Sequence, residues 1–414
     1  MQSTDRGFPE RIEVSPTADI PLTESEVSSI NATPSTIATT GRVVAIDALR
    51  GFDMFWIMGG HGLVLSLAGA MTSTKEPPAW LKMQMAHTHW IGFSCWDLIN
   101  PLFLFISGVS MAFSFEKHLI SGQPHRLMYR RMASRFVLLW IFGMMVQGDL
   151  LKLDWDVLRP FTNVLQTIAC GYVVTGLMLL HVPRPFHVWI AGALLIGYWL
   201  LMTLVPVPGL GMGVLEEDRN LAAWIDISVL GSHAYKHTVS EGVYTVHYAY
   251  FLPIMTFSAI IMLGMYAGQW LNSTRSPRRK LLGLVVAGIA SLALGWLWSS
   301  WFPIIKPLFT SSMVLWASGW SLLLLALFYG LIDILRWRAW AFFFVVIGAN
   351  ALFAYMVSHL FGAQISGMSG ALFTGLARHL QPFGLSSFTW SLGYVLIMWL
   401  MLWFLYRHKL FWRV

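Results

Sequence analysis

Ten apolar runs, each close to the roughly 20 residues an α-helix needs to cross the hydrocarbon of a bilayer, follow one another from residue 43 to the end of the chain. They lie at about 43–68, 97–116, 132–148, 161–181, 186–205, 250–271, 281–301, 311–335, 341–362 and 387–406. A backbone inside lipid must satisfy its own N–H and C=O groups, so consecutive runs of this length dictate an all-α, polytopic transmembrane bundle of about ten spans. The composition agrees, with 56% hydrophobic and only 11% charged residues, and 21 Trp and 27 Phe suit aromatic belts at the two interfaces. Two cysteines, Cys95 and Cys170, sit in or beside apolar runs and give neither a disulfide framework nor a zinc spacing. The net charge of +7 comes from basic residues in short connections, which fits membrane orientation and not a nucleic-acid surface.

Residues 1–42 are rich in Ser, Thr and Pro and contain no apolar run, so they read as a disordered cytoplasmic tail without a signal peptide. The remainder, 43–414, reads as one membrane domain. Of the 27 Lys and Arg, 18 fall on the side that receives both chain ends, 8 on the other side, and Arg50 lies within the first run. That bias puts both termini in the cytoplasm and the connection 69–96, with His87 and His89, on the outer side. The largest outer connection, 206–249, is polar and long enough for short helices that cap a cavity. The segment 362–380, with Gly362, Gly367 and Gly370, reads as re-entrant or interfacial.

Polar groups interrupt this apolar pattern at a few places. In the first run Asp47, Arg50 and Asp53 follow at three-residue steps, so one guanidinium can reach two carboxylates. Charges at this depth mark either a ligand path or an internal salt bridge that fixes packing. His61 falls near the same helix angle about 16 Å further along, which extends the polar face to the outer end. In the second run Asp97, Asn100, Ser107, Ser110 and Ser114 share one side of a helix, which should face protein or water. His87 and His89 precede it. A neutral imidazole there can take a proton or accept an acyl group with Asp97 as its orienting carboxylate, or both histidines are interfacial anchors beside Trp90. Asn163 and Gln166, and Asn350 with Tyr355 and His359, are buried polar groups that either bridge helices or meet a substrate. His233, His237 and Glu241 have the i, i+4, i+8 spacing of a helical metal clamp, but Ser240 and Gly242 argue against an intact helix, so no metal is expected.

Taken in order and spacing, several stretches resemble the heparan-alpha-glucosaminide N-acetyltransferase family, in particular its bacterial members. They are IDALRGFDMFWIMGG from Ile46, HTHWIGFSCWDL from His87, PLFLFISG from Pro101, NVLQTIA from Asn163, NLAAWID from Asn220, Glu241 with its following Gly, TSSMVL from Thr310 and GANALFAY from Gly348. The resemblance implies a membrane-embedded acyltransferase that moves an acetyl group from cytoplasmic acetyl-CoA to an extracytoplasmic amino sugar or glycan. It implies His87 as the active-site histidine with Asp97 beside it, and Asp47, Arg50, His61, Asn100, Gln166 and Asn350 as substrate-binding positions. Three positions depart from the family pattern: His61 stands where the animal enzyme has Asn, Asn100 where Phe precedes the proline, and Thr167 where Arg usually follows the Gln.

The expected partners are acetyl-CoA as co-substrate, the acceptor and the lipid bilayer, with no permanently bound cofactor and no nucleic acid. A homodimer is left open, and the expected location is the bacterial inner membrane. The rival reading is a secondary transporter of a small anionic or sugar solute, in which the polar face of the first span lines the pathway and His87 relays protons.

Overall fold

The computed structural model describes residues 43–120, 124–217, 219–234, 237–240, 243–245 and 248–412. The expected tail, 1–42, lies outside the described residues. Among the described residues the named elements are helices, apart from a short antiparallel hairpin of β1 (His237–Ser240) and β2 (Val243–Thr245) in the long connection.

The first expected span is a broken helix. It runs as α1 (Val44–Phe55), a π-helical segment Trp56–Gly60, and α2 (His61–Ala70). Gly59 has a φ of 118° beside a non-helical Met58, so the helix angle carried from Arg50 to His61 is lost at this kink. After the short α3 (Ala79–Gln84), a 3₁₀ turn Cys95–Leu98 leads into α4 (Ile99–Ile120). Then follow α5 (His125–Gln147), α6 (Val164–His181), α7 (His187–Leu204) and α8 (Leu221–Leu230). Beyond the hairpin come α9 (Ile254–Asn272), α10 (Pro277–Trp298), α11 (Ser311–Phe328), α12 (Ala341–Ala349), α13 (Ala351–Leu360), α14 (Gly362–His379) and α15 (Ser386–Arg407).

Among the described residues, seven helices are long and apolar enough to cross a membrane, or eight if α12 and α13, bent by 76°, form one broken span. The expected count of ten is therefore not reached by this measure. The first run is split at its π segment, and α5 carries Arg126, Arg130, Arg131 and Arg135 along its first half. The segment 362–380 is a continuous helix, α14, packed against α15.

The centre of the bundle is the crossing of α4 with α9. Leu102, Phe105, Ile106, Val109 and Ala112 on α4 and Phe257, Ile260, Ile261, Met265 and Gly268 on α9 are buried at helical spacing. Backbones meet here: a Cβ on Gly108 would stand 1.9 Å from the Ile261 carbonyl oxygen, and one on Gly264 would stand 2.0 Å from that of Phe105. A second crossing of this kind joins α1 to α12, where a Cβ on Gly348 would stand 1.9 Å from the Asp47 carbonyl oxygen. Small residues substitute for the hydrophobic drive that lipid cannot supply between helices. The share of buried residues separates centre from rim, 67% for α9 against 17% for α10.

Candidate active site

Two adjoining cavities inside this frame draw on the polar side of α4. The first, about 500 Å³, is lined by His87, Trp96, Asn100, Gln147, Thr162 and Lys306, with Tyr248, Tyr250, Tyr355 and His359. The second, about 750 Å³, is lined by Asp47, Arg50, Ser107, Ser110, Ser114 and Arg135, with Gly348, Phe411 and Trp412. Phe103, Val164 and Tyr355 line both, so the two abut across these three side chains. Asn100 and Ser114 are about 21 Å apart along α4, so the pair extends through most of the bundle. The side of α4 expected to face protein or water does so.

Connections 148–163 and 299–310 and the end of the long connection meet around the first cavity, whereas the beginning of α1 and the last described residues meet around the second. The long connection forms one wall. Asp226 on α8 accepts from the N–H groups of Tyr250 at 2.8 Å and Phe251 at 3.0 Å, and Tyr250 donates from its hydroxyl to the Thr162 carbonyl at 2.6 Å. Burial pushes Asp226 up to about 6 against these two hydrogen bonds.

His87 is placed by the sequence immediately after it. Gly92, with φ 126°, turns the chain back, and its N–H donates to the Ile304 carbonyl at 2.9 Å. Ser94 then caps the 3₁₀ turn in a capping box with Asp97. The Asp97 carboxylate is fully buried. Its Oδ2 accepts from the N–H groups of Ser94 at 3.0 Å and Thr88 at 3.2 Å, which leaves Oδ1 facing His87 Nδ1 at 2.8 Å. The cap that starts the helix thus fixes the carboxylate, and the carboxylate fixes the imidazole. His89 turns the other way: its side chain is 86% exposed against 49% for His87, and it meets Glu217 at 3.7 Å.

Lys306 completes the cluster. Lys306 Nζ lies 2.9 Å from His87 Nδ1 and 3.2 Å from Asp97 Oδ1, with its side chain only 6% exposed. Burial pulls Lys306 down to about 8, and the Asp97 charge acts in the opposite sense. In the sequence Lys306 stands out only as one basic residue of a short connection. The available signal was local: WFPIIKPLF places a single cation between two prolines in an apolar connection between spans, where a charge has no solvent to itself.

The other expected site residues are distributed as follows. His61 stands near the first cavity, with Nε2 at 2.9 Å from the Met85 carbonyl and its ring 4.5 Å from that of Trp96. Asn100 lines the cavity with a buried Oδ1 that has no partner among the described residues. Arg50 reaches Asp47 at 3.5 Å and the Ser110 hydroxyl. The expected bridge to a second carboxylate does not form: Asp53 is buried, and its Oδ2 is without a partner among the described residues.

Gln166 lines neither cavity. Its Oε1 accepts from the Thr162 and Asn163 N–H groups and its Nε2 donates to the Pro160 carbonyl, which ties the start of α6 to the preceding loop. Asn350 sits at the α12–α13 bend and accepts from the Trp412 N–H at 2.9 Å. Asn163 caps α6 and donates to the Tyr355 hydroxyl at 2.9 Å. Tyr355 and His359 pack with ring centroids 4.3 Å apart at a tilt of 37° and both line the first cavity, so this pair belongs to the site geometry as well as to packing.

The helical metal clamp is not formed. The backbone at 237–240 is a strand, and Glu241 lies outside the described residues. No group of three or more metal-ligating side chains occurs among the described residues.

This is a helical membrane protein with a His–Asp–Lys cluster, its carboxylate and ammonium buried, at one end of paired cavities and an Arg at the other. A family model for the catalytic region of heparan-alpha-glucosaminide N-acetyltransferase matches residues 42–294. The chain belongs to this family. It is 27% identical to heparan-alpha-glucosaminide N-acetyltransferase of Homo sapiens over 324 residues, which are 66% of this chain and 48% of that protein. The corresponding protein of Mus musculus is 25% identical over 319 residues, 65% of this chain and 48% of that protein. The chain therefore spans about half the length of the curated relatives it matches.

Proposed function

We propose that the protein is a transmembrane N-acetyltransferase that takes acetyl-CoA at the Arg50 end and delivers the acetyl group to an amino sugar or glycan amine at the His87 end. The observation that carries this is the pair of abutting cavities, with a candidate base in one and a guanidinium in the other. The excess of Lys and Arg on the connections at the Arg50 end supports a cytoplasmic donor entrance, both termini inside, and an outer acceptor site in a bacterial inner membrane. In this reading Asp47 and Arg50 frame the donor entrance and Arg50 offers paired donors to a phosphate. Asn100 and His61 border the acetyl and acceptor region, and the altered identity of both relative to the family pattern tunes which amine is accepted.

His87 does the chemistry in either of two routes. In the direct route the acceptor nitrogen attacks the thioester carbonyl carbon, a C–N bond forms, and the C–S bond breaks. The electron pair leaves on sulfur, and Nε2 of His87 takes the amine proton and passes it to the thiolate. In the covalent route Nε2 attacks the carbonyl first and the thiolate leaves. The amine then forms its C–N bond as the C–Nε2 bond breaks, and its proton is released to the thiolate. Asp97 holds Nδ1–H in both, so that Nε2 carries the lone pair.

The test is purified protein in nanodiscs with radiolabelled acetyl-CoA and glucosamine. Labelled N-acetylglucosamine is the expected product, and label on protein in the absence of acceptor identifies the covalent route. A protein that leaves acetyl-CoA intact with any amine offered is not a transferase, and solute uptake by proteoliposomes would then favour the transporter. In the same assay Arg50→Lys keeps the charge but loses the two-pronged geometry, and should raise KM for acetyl-CoA ~10-fold with little change in kcat. An unchanged KM makes Arg50 structural.

A further inference from the structure

The cluster poses a problem of proton counting. Nδ1 of His87, Oδ1 of Asp97 and Nζ of Lys306 form a closed triangle with edges of 2.8, 3.2 and 2.9 Å. Nδ1 has a single position that holds either a proton or a lone pair, so not all three edges can be hydrogen bonds at once. If Nδ1 carries the proton, it donates to Asp97, Lys306 also donates to Asp97, and Nε2 is left with its lone pair. If Nδ1 accepts from Lys306, the proton moves to Nε2 and the ring can neither attack nor take a proton. A carboxylate alone beside His87 would favour the doubly protonated, positively charged ring, which is also inert.

We propose that Lys306 is a positioning residue whose ammonium group, seated on Asp97, keeps His87 a neutral imidazole with Nε2 free at neutral pH. This rests on the reading of His87 as the transfer residue. The lysine cancels the Asp97 charge at short range and opposes a second cation on the ring. The chain holds it there by design of the connection 299–310. Phe309 N–H donates to the Lys306 carbonyl at 2.9 Å, Thr310 Oγ1 accepts from Ile305 N–H at 3.1 Å, and the Gly92–Ile304 hydrogen bond fastens this connection to the one bearing His87. Burial alone works against the Lys306 charge, and the buried Asp97 carboxylate 3.2 Å from Nζ favours it. Lys306 lies beyond residue 294, where the family match ends.

Other titratable groups face the same space. Among the described residues they are His61, engaged with the Met85 carbonyl, His359, engaged with that of Tyr355, and the phenols of Tyr248, Tyr250 and Tyr355. Glu217 lies beyond, against His89. Among the described residues Asp97 is the only carboxylate paired with His87, and Lys306 the only lysine or arginine in contact with it.

Diethyl pyrocarbonate reacts with neutral imidazole, so its rate at the His87 peptide, followed by mass spectrometry against pH, reads the ring's protonation without any transfer assay. Lys306→Gln keeps a donor for Asp97 and removes the charge. The expected result is a midpoint for His87 raised by at least ~1 pH unit over the wild type, with the acid limb of kcat/KM moving up by the same amount. Lys306→Arg, which keeps the cation, should leave the midpoint at or below the wild-type value. A Gln variant whose midpoint does not move overturns the proposal even if its activity falls, because lost packing would lower activity without shifting the titration. If the Gln variant does not fold, a raised midpoint in Lys306→Arg overturns it instead. A wild-type protein without acetyl transfer sinks the transferase reading, and the His87 titration is then read on its own.

Discussion

His87→Ala is expected to lower acetyl transfer by ~10³-fold or more, whereas His89→Ala should retain most of the wild-type rate. The two residues flank Thr88 and differ in what they face. His87 stands over the first cavity with Nδ1 fixed at 2.8 Å from a fully buried carboxylate, and His89 is 86% exposed against Glu217. Removing His87 leaves the Asp97–Lys306 pair intact and truncates a half-exposed side chain, so the variant should unfold near the wild-type temperature. Initial rates with acetyl-CoA and an amine, together with thermal unfolding in the same detergent, decide it. If His89→Ala is inactive and His87→Ala is not, the residue assignment fails and the role given to Asp97 goes with it.

The fold was legible where one physical constraint dominated. Backbone groups in lipid leave only helices, and the apolar runs located α4, α6, α7, α9, α10, α11 and α15 within a few residues. The runs were less informative where helices break. The kink at Met58–Gly59 and the bend at Asn350 are properties of single φ and ψ values that a hydropathy pattern does not carry. The polar side of α4 was legible because four of its residues repeat at helical spacing and the structure puts them on the two cavities.

The site was legible only within one segment. His87 and Asp97 are ten residues apart and joined by a single turn, so their pairing is close to a local property of that stretch. Lys306 is 219 residues from His87, and no spacing rule connects them. Gln166 is the reverse case: the family resemblance implies substrate contact and the residue type equally allows helix bridging, and its amide is committed to the loop backbone before α6. A buried amide is more often the answer to unsatisfied backbone than a ligand contact, and only the hydrogen-bond inventory separates the two.

Asp97→Asn should be the most destabilising single change in the site, by ~3–5 kcal/mol, and it should also stop transfer. Every partner of this carboxylate among the described residues is a donor or can act as one: the N–H groups of Thr88 and Ser94, the Ser94 hydroxyl, Nδ1 of His87 and Nζ of Lys306. An amide must turn its NH₂ toward one of these sets, which replaces hydrogen bonds by donor–donor contacts and leaves Lys306 as a buried cation without its counter-charge. Activity loss alone would not distinguish a failed fold from a failed base, so the informative protein is Asp97→Asn combined with Lys306→Met. The second change removes the stranded charge, and the pair should recover most of the lost thermal stability. Transfer should not return, because His87 still lacks the carboxylate that holds its Nδ1 proton, a loss worth ~10²–10⁴-fold. A double variant no more stable than Asp97→Asn would mean that Lys306 is not held by Asp97. One that regains wild-type transfer would mean that His87 needs neither.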